Sequence, residues 1–141
     1  MNYFTCFHYI VASDNSDLFD LVLSHDRPAA LSIINNIGSS GYSFDSPITT
    51  TISKGQTEMV KKLLQHGAQA TVLFENWIKH YISKNSYARR SSVEQNMDQF
   101  RRSVVQPVVG AAIKESGTIV EDLLGHGADP NTLVCLYNYA R

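Results

Sequence analysis

Five histidines are the side chains in this 141-residue sequence that most directly suggest chemistry, because imidazole can bind a metal or transfer a proton near neutral pH. They are His8, His25, His66, His80 and His126. None has another histidine four residues away, which is the spacing that places two zinc ligands on one face of a helix. We therefore expect no metal site and no cofactor.

The short motifs that mark many enzymes are absent from the sequence. It has no G-x-S-x-G nucleophile elbow, no phosphate-binding loop, no dinucleotide fingerprint and no cysteine motif. One enzymatic alternative stays open, in which a groove lined by Tyr9, Lys54, Lys114 and nearby carboxylates supports acid–base chemistry of the isomerase or cyclase type. The leading hypothesis is a binding function without catalysis.

Charge and cysteine content limit the class of partner and the compartment. The formal net charge of −1 gives no general attraction to nucleic acids or acidic membranes. Cys6 and Cys135 lie near opposite ends without metal-ligand spacing, which favours an intracellular location, cytoplasmic or nuclear. No stretch approaches the roughly 20 apolar residues of a membrane-spanning helix. The apolar start lacks the basic region of a signal peptide, so we expect one soluble domain over residues 1–141.

The elements that must position any site come from a pattern that occurs three times. Residues 46–68, SPITTTISKGQTEMVKKLLQHGA, align without a gap with residues 106–128, QPVVGAAIKESGTIVEDLLGHGA. The same template fits residues 5–23, where Cys6 takes the place of proline. Proline suits a first helical turn, and four apolar residues at i, i+1, i+4 and i+5 form one stripe on a second helix. Because neither helix can bury its apolar side alone, the units must stack.

This pattern resembles the ankyrin repeat. The T-P-L-H and G-A-D-x-N segments of that repeat are matched by residues 46–49, SPIT, and most completely by residues 123–131, LLGHGADPN. The resemblance implies an all-α stack of about three helix-turn-helix repeats, at about 4–26, 45–71 and 105–131. It also places His8 at the T-P-L-H histidine, which bonds locally in that family. Asp14 and Glu115 depart from the pattern, because they replace the interhelical glycine that is present as Gly55.

The first spacer between repeats exceeds the usual period of about 33 residues. Its sequence RPAALSIINNIG predicts a short extra helix that begins near Pro28 and ends at Gly38. The apolar residues that would share one face of this helix are Ala30, Ile33, Ile34 and Ile37.

A larger insertion covers about residues 72–104 and predicts two helices. The stripe of the first helix consists of Phe74, Trp77, Ile78, Tyr81 and Ile82. The second begins near Ser92, where Ser91 and Glu94 have capping-box spacing, and its stripe consists of Val93, Met97, Phe100 and Val104. A polar loop joins them. Two interpretations stay open, a degenerate repeat or a helical excursion across the stack, and we favour the second. Ankyrin proteins of filamentous fungi resemble this arrangement.

The resemblance to ankyrin repeats implies a protein–protein interaction module, because partners of that family dock on the concave surface of first helices and hairpin tips. We expect a protein partner to occupy this groove and the inserted helices. Carried onto this sequence, the surface includes Tyr9, Ala12, Ser13, Thr50, Ser53, Lys54, Gly110, Ile113 and Lys114.

Basic and aromatic side chains interleave in the insertion, which raises the hypothesis of nucleic-acid binding. Trp77, Tyr81 and Phe100 fall on faces that should be buried, so we expect no nucleic-acid partner and favour a solvated face or a patch for an acidic protein. Ser92 follows Arg89-Arg90 and is a candidate phosphorylation site.

Both ends of the predicted stack carry apolar side chains where end repeats usually have polar caps. Three alternatives stay open: a C-terminal tail that folds back as a capping helix, a homodimer through the apolar end repeats, or a shortened relative of a longer array. The apolar residues are Tyr3, Phe4 and Phe7 at the start and Leu133, Val134, Leu136, Tyr137 and Tyr139 at the finish.

Overall fold

A computed structural model describes residues 6–40 and 43–132. This part of the chain is helical apart from one short hairpin, so the predicted helical class is confirmed there. The elements are α1 (Cys6–Ala12), α2 (Ser16–His25), α3 (Arg27–Ile33), β1 (Gly38–Ser40), β2 (Ser43–Asp45), α4 (Pro47–Ser53), α5 (Thr57–Gln65), α6 (Phe74–Lys84), α7 (Val93–Ser103), α8 (Pro107–Ile113) and α9 (Gly117–Gly125). A 3-10 turn over Ser86–Arg89 lies between α6 and α7.

Three helix pairs form a row: α1 with α2, α4 with α5, and α8 with α9. The first helices lie side by side in the order α1, α4, α8, and α5 packs against α9. Local capping explains where α4 begins, because the Ser46 hydroxyl accepts from the Thr49 N–H while Thr49 Oγ1 accepts from the Ser46 N–H, and Pro47 occupies the first turn. Asn15 and Ser116 cap the second helices of the first and third pairs through their side chains.

The turn between the two helices of each pair requires a left-handed residue. Gly55 adopts φ +70° in the second pair, and Asp14 and Glu115 both adopt φ +55° at the equivalent positions of the first and third. Glycine has no Cβ to clash in this region, whereas other residues incur a steric cost. Asp14 and Glu115, which stand where the repeat pattern has glycine, therefore keep the turn geometry but add backbone strain.

The core lies between the pairs and contains most of the predicted stripes. Phe19, Val60, Leu63 and Leu123 are each fully buried. Because α4 contacts α1 on one side and α8 on the other, the middle pair is the most enclosed. Phe7 is also buried, whereas Tyr3, Phe4 and residues 133–141 lie outside the described residues.

The predicted extra helix in the first spacer is present as α3, but it is shorter than expected. It ends at Ile33, and Gly38 begins a strand instead of ending the helix. The hairpin that follows pairs Gly38 with Asp45 and was not predicted. Contacts distant in sequence account for the early end of α3, because the Asn35 side chain donates to the Gly67 carbonyl at 3.3 Å and accepts from the Gln69 N–H at 2.8 Å.

Both predicted helices of the insertion are present, with α7 one residue out of register from its predicted cap. Ser92 and Gln95, rather than Ser91 and Glu94, form the capping box. Val93 is consequently exposed and does not belong to the buried stripe, whereas Asn96 is buried and donates to the Ala88 carbonyl at 3.1 Å. The segment predicted as a polar loop contains the 3-10 turn, in which Ala88 is buried.

The inserted helices pack on each other through aromatic rings. The Trp77 ring lies 5.3 Å from that of Phe100 and stacks on Tyr81 at 4.5 Å, measured between centroids. The Gln106 side chain joins the two ends of the insertion, because it accepts from the Val72 N–H at 2.9 Å and donates to the Val72 carbonyl at 3.0 Å. Since α4 packs directly against α8, the inserted pair does not form a layer between them, which supports the excursion interpretation.

Candidate functional site

A mostly apolar cleft of about 270 Å³ lies between the first helices of the second and third pairs. We call it the α4–α8 cleft. The end of α7 and the segment after it form the third wall, so the insertion contributes directly to the cleft. Its described lining residues are Thr49, Ile52, Ser53, Ser103, Val105, Gln106, Pro107, Gly110, Ile113 and Lys114.

The apolar side chains at the cleft differ in exposure, as expected for a binding surface that is open on one side. Ile52 is buried and forms the floor, whereas Ile113 is 51% exposed and Val105 is 39% exposed. At Gly110, an added Cβ would lie 3.5 Å from Ile52 Cγ2 and 3.8 Å from Val105 Cγ1, which is ordinary van der Waals contact. The absence of a side chain at Gly110 thus leaves room between these residues.

Four of the nine predicted surface residues line this cleft. Ser53, Gly110, Ile113 and Lys114 are brought together there, whereas the other five are not among its described lining residues. The cleft also contains Val105 and Gln106. The Val105-Gln106-Pro107 motif that begins the third unit was the sequence signal that could have placed them there.

Three of the remaining five predicted residues, Ala12, Ser13 and Lys54, take part in hydrogen bonds within the fold. Lys54 Nζ donates to the Ala12 carbonyl at 3.2 Å, beside Gln56 Nε2 at 3.0 Å from the same oxygen. Ser13 Oγ donates to the Ile10 carbonyl of the preceding helix α1 at 2.8 Å. Lys54 therefore stabilises the contact between the first two pairs.

The other two lie away from the cleft on first helices. Tyr9 on α1 is 58% exposed, and Thr50 on α4 is half-buried. Of the three side chains in the enzymatic alternative, only Lys114 lines the α4–α8 cleft.

The histidines occupy several different environments. His66 Nδ1 donates to the Lys62 carbonyl and His126 Nδ1 donates to the Asp122 carbonyl, each at 2.8 Å, so both stabilise the end of a helix. His8 makes a long-range bond that the local pattern did not predict, because its Nε2 donates to the carbonyl of Asn36, 28 residues away, at 3.0 Å. Within the described residues, no three His, Cys, Asp or Glu side chains are grouped so that they could hold a metal ion.

The other predicted sites lie in the insertion. Ser92 is exposed, and its hydroxyl accepts from the Gln95 N–H at 3.1 Å as the cap of α7. Arg89 and Arg90 are exposed nearby. Trp77 is fully buried, which leaves none of its ring accessible for stacking on a base.

Compared with known proteins, the chain matches no family model, no curated protein and no solved structure. The longest helices over residues 6–40 and 43–132, α6 and α7, have 11 residues each, and none there combines the length and apolarity needed to cross a membrane.

Proposed function

We propose that this chain is an ankyrin-type helical repeat module that binds a segment of a protein partner in the α4–α8 cleft. The cleft itself carries the proposal: an apolar depression with exposed Ile113 and Val105 at its edge and the cation Lys114 beside them. The repeated sequence pattern and the row of helix pairs support the ankyrin-type assignment.

The chemistry of the cleft favours a segment that presents an apolar side chain flanked by carboxylates. An apolar side chain would displace water from Val105 and Ile113, at roughly 25 cal/mol for each Å² buried. Among the described lining residues Lys114 is the one charged group, so an acidic flank is electrostatically complementary. Because the walls are helices already packed on each other, little conformational entropy is lost on binding.

Binding is favoured over acid–base catalysis by the same set of residues. A general acid and a general base require two titratable groups near the reacting atoms, and the described lining of the α4–α8 cleft supplies only Lys114.

Selection from a displayed peptide library would test this proposal, with the intact chain as bait. We expect the enriched peptides to combine a large apolar residue with Asp or Glu, and to shift the amide NMR signals of Ser53, Gly110 and Ile113. Lys114→Glu should weaken the enriched peptides by about tenfold or more, because it replaces attraction by repulsion. Ile113→Asp should weaken them also, since it replaces an apolar side chain at the edge by a carboxylate that repels the acidic residues of the peptide.

Lys61→Glu is the matched control, because it makes the same change of charge on α5, and Lys61 does not line the cleft. Gly110→Ala is a second probe that should narrow the cleft while improving helix stability by about 0.5–1 kcal/mol. Peptides without acidic enrichment, or peptides that bind Lys114→Glu as well as the original chain, would disprove this assignment. Lys54→Glu would not report on partner binding alone, because it would also remove the bond from Lys54 to the Ala12 carbonyl.

A further inference from the structure

A second, polar pocket of about 610 Å³ lies where the insertion meets the first helix pair. We call it the His8–His80 pocket. Its volume falls within the range of small-molecule sites, roughly 300–1,000 Å³. Its described lining residues are His8 from α1, Ser32, Asn35, Asn36 and Ile37 from α3 and the turn after it, Gln69 from the turn after α5, and Asn76, Lys79 and His80 from α6.

Hydrogen bonds between these segments hold the pocket walls in place without a ligand. Asn35 bonds through its side chain to both Gly67 and Gln69, which joins the turn after α3 to the turn after α5. The Asn76 amide donates to Gln69 Oε1 at 3.2 Å, which adds α6 to the same network. Because Gln69 accepts through its oxygen, its amide nitrogen remains a donor group. His8 Nε2 is fixed as a donor, since its partner on Asn36 is a carbonyl oxygen.

The electrostatic character of the pocket is basic. Lys79 and the two imidazoles line it, and the described lining residues include no carboxylate. Burial lowers the pKa of His80 below its ordinary value, and the electrostatic interactions with Lys84 and with His8 lower it further. α3 and the turn after α5 contribute only uncharged side chains to the described lining. A bound anion would oppose these effects, because it would stabilise the protonated imidazolium.

We propose that the His8–His80 pocket binds a small ligand through an oxyanion group, such as a carboxylate, phosphate or sulfate. Lys79 supplies the charge-assisted bond, the imidazole of His80 becomes a second cation when it is protonated, and the amides of Asn76 and Gln69 form a polar wall. This site is separate from the α4–α8 cleft, since the two share no described lining residue. A test that disproves protein binding in the α4–α8 cleft therefore leaves the anion proposal standing, and the reverse also holds.

Inorganic sulfate is the probe for the first test, because it keeps its charge between about pH 5 and 8, where the histidines titrate. Histidine ring signals of the full chain should be followed by NMR during sulfate addition at constant ionic strength, with chloride as the control salt. We expect saturable shifts at His8 and His80, a raised pKa of His80, and tighter binding at pH 5.5 than at pH 7.5. Phosphate and acetate in parallel titrations distinguish the classes of oxyanion.

The variant Lys79→Gln should weaken sulfate binding by about fivefold or more, because it removes a charge-assisted bond. Lys79 is exposed, so its replacement leaves the core intact, and Lys61→Gln outside the pocket is the matched control. No saturable shift at up to about 50 mM sulfate, which is well above a millimolar Kd, would overturn the proposal. Equal binding by Lys79→Gln and the original chain would also overturn it, as the sign of an adventitious ion only.

Discussion

The second and third helix pairs have the same sequence pattern but unequal surroundings. Leu64 in α5 is 4% exposed, whereas Leu124, which aligns with it in α9, is 40% exposed. Likewise, Val60 is fully buried and Val120 is half-buried. The second pair packs between the first and the third, but among the described residues the third pair has neighbours on one side. The comparison shows that a repeat pattern specifies which residues face a neighbour, and that the neighbour itself determines how far they are buried.

The largest expected effect is the difference between Leu64→Ala and Leu124→Ala. Leu64→Ala should lower the free energy of unfolding by about 2–5 kcal/mol, because it leaves a cavity in the core. Leu124→Ala should lower it by only about 1 kcal/mol, because this side chain is partly in water. Urea unfolding followed by circular dichroism would measure both. Equal losses would contradict the comparison and show that another surface covers Leu124 in solution. A homodimer, one of the alternatives left open by the sequence, would provide such a surface, and light scattering would identify it.

The interhelical turns should respond in opposite directions to substitution. Gly55→Ala should cost about 1–2 kcal/mol, because it forces a Cβ into the left-handed region, and no other atom within 4 Å of that Cβ complicates the result. Glu115→Gly should stabilise the third pair by up to about 1 kcal/mol, since it relieves a φ of +55°. Thermal unfolding of the two variants would measure the changes. A destabilising Glu115→Gly would show that the Glu115 side chain has a structural role beyond the turn.

His66 and His126 occupy equivalent positions, so a comparison of their substitutions isolates the contribution of a neighbouring aromatic ring to stability. His66 and His126 make the same bond to their own helix, but the His66 ring also meets the edge of the Phe19 ring at 5.6 Å. His66→Ala should therefore cost about 1–2 kcal/mol and His126→Ala about 1 kcal/mol or less in urea unfolding. In the second pair, Val60 aligns with Phe19 and provides no ring for His126. The same two substitutions should then be made in a Phe19→Leu background. If His66→Ala still costs more than His126→Ala by the same amount, the ring contact does not cause the difference between them.

The smallest effect concerns the ion pair between the first two pairs. Lys62 Nζ lies 2.9 Å from both carboxylate oxygens of Asp20, and the two side chains are 28% and 59% exposed. A double-mutant cycle with Lys62→Met and Asp20→Ala should give a coupling of about 0.2–1 kcal/mol, reduced by salt. In the third pair Asp122 takes the position of Lys62, so Asp122→Ala combined with Asp20→Ala should be additive within about 0.5 kcal/mol. A coupling that does not change with salt would contradict an origin in the attraction between the two charges.

Local sequence patterns predicted the helices well but the candidate site only in part. Apolar periodicity predicted α4, α5, α8 and α9, and it identified Trp77 as a buried residue of the insertion. Ser53, Gly110, Ile113 and Lys114 were predicted together because the resemblance to ankyrin repeats implies that first helices and hairpin tips form one concave surface. The sequence prediction placed the cap of α7 one residue too early, because Ser91 and Ser92 carry the same hydroxyl. In the structure the Gln95 side chain completes the capping box with Ser92.

Other features depended on contacts between residues far apart in the chain. The bond between Lys54 and Ala12 spans 42 residues, and the bond between His8 and Asn36 spans 28. No local pattern encodes such pairs, because they form only after the helix pairs have packed. For the same reason, the His8–His80 pocket could not be anticipated, since its walls come from four separate segments.

The sequence by itself therefore determined the helical units, their apolar faces and the residues that must adopt a left-handed turn, since these follow from periodicity and local sterics. The tertiary structure alone decided that Lys54 stabilises the fold rather than lining the cleft, that the insertion lies outside the row of pairs, and that Leu124 is exposed where Leu64 is buried. The physical reason is that burial and long-range hydrogen bonds are properties of the packed chain, not of any segment within it.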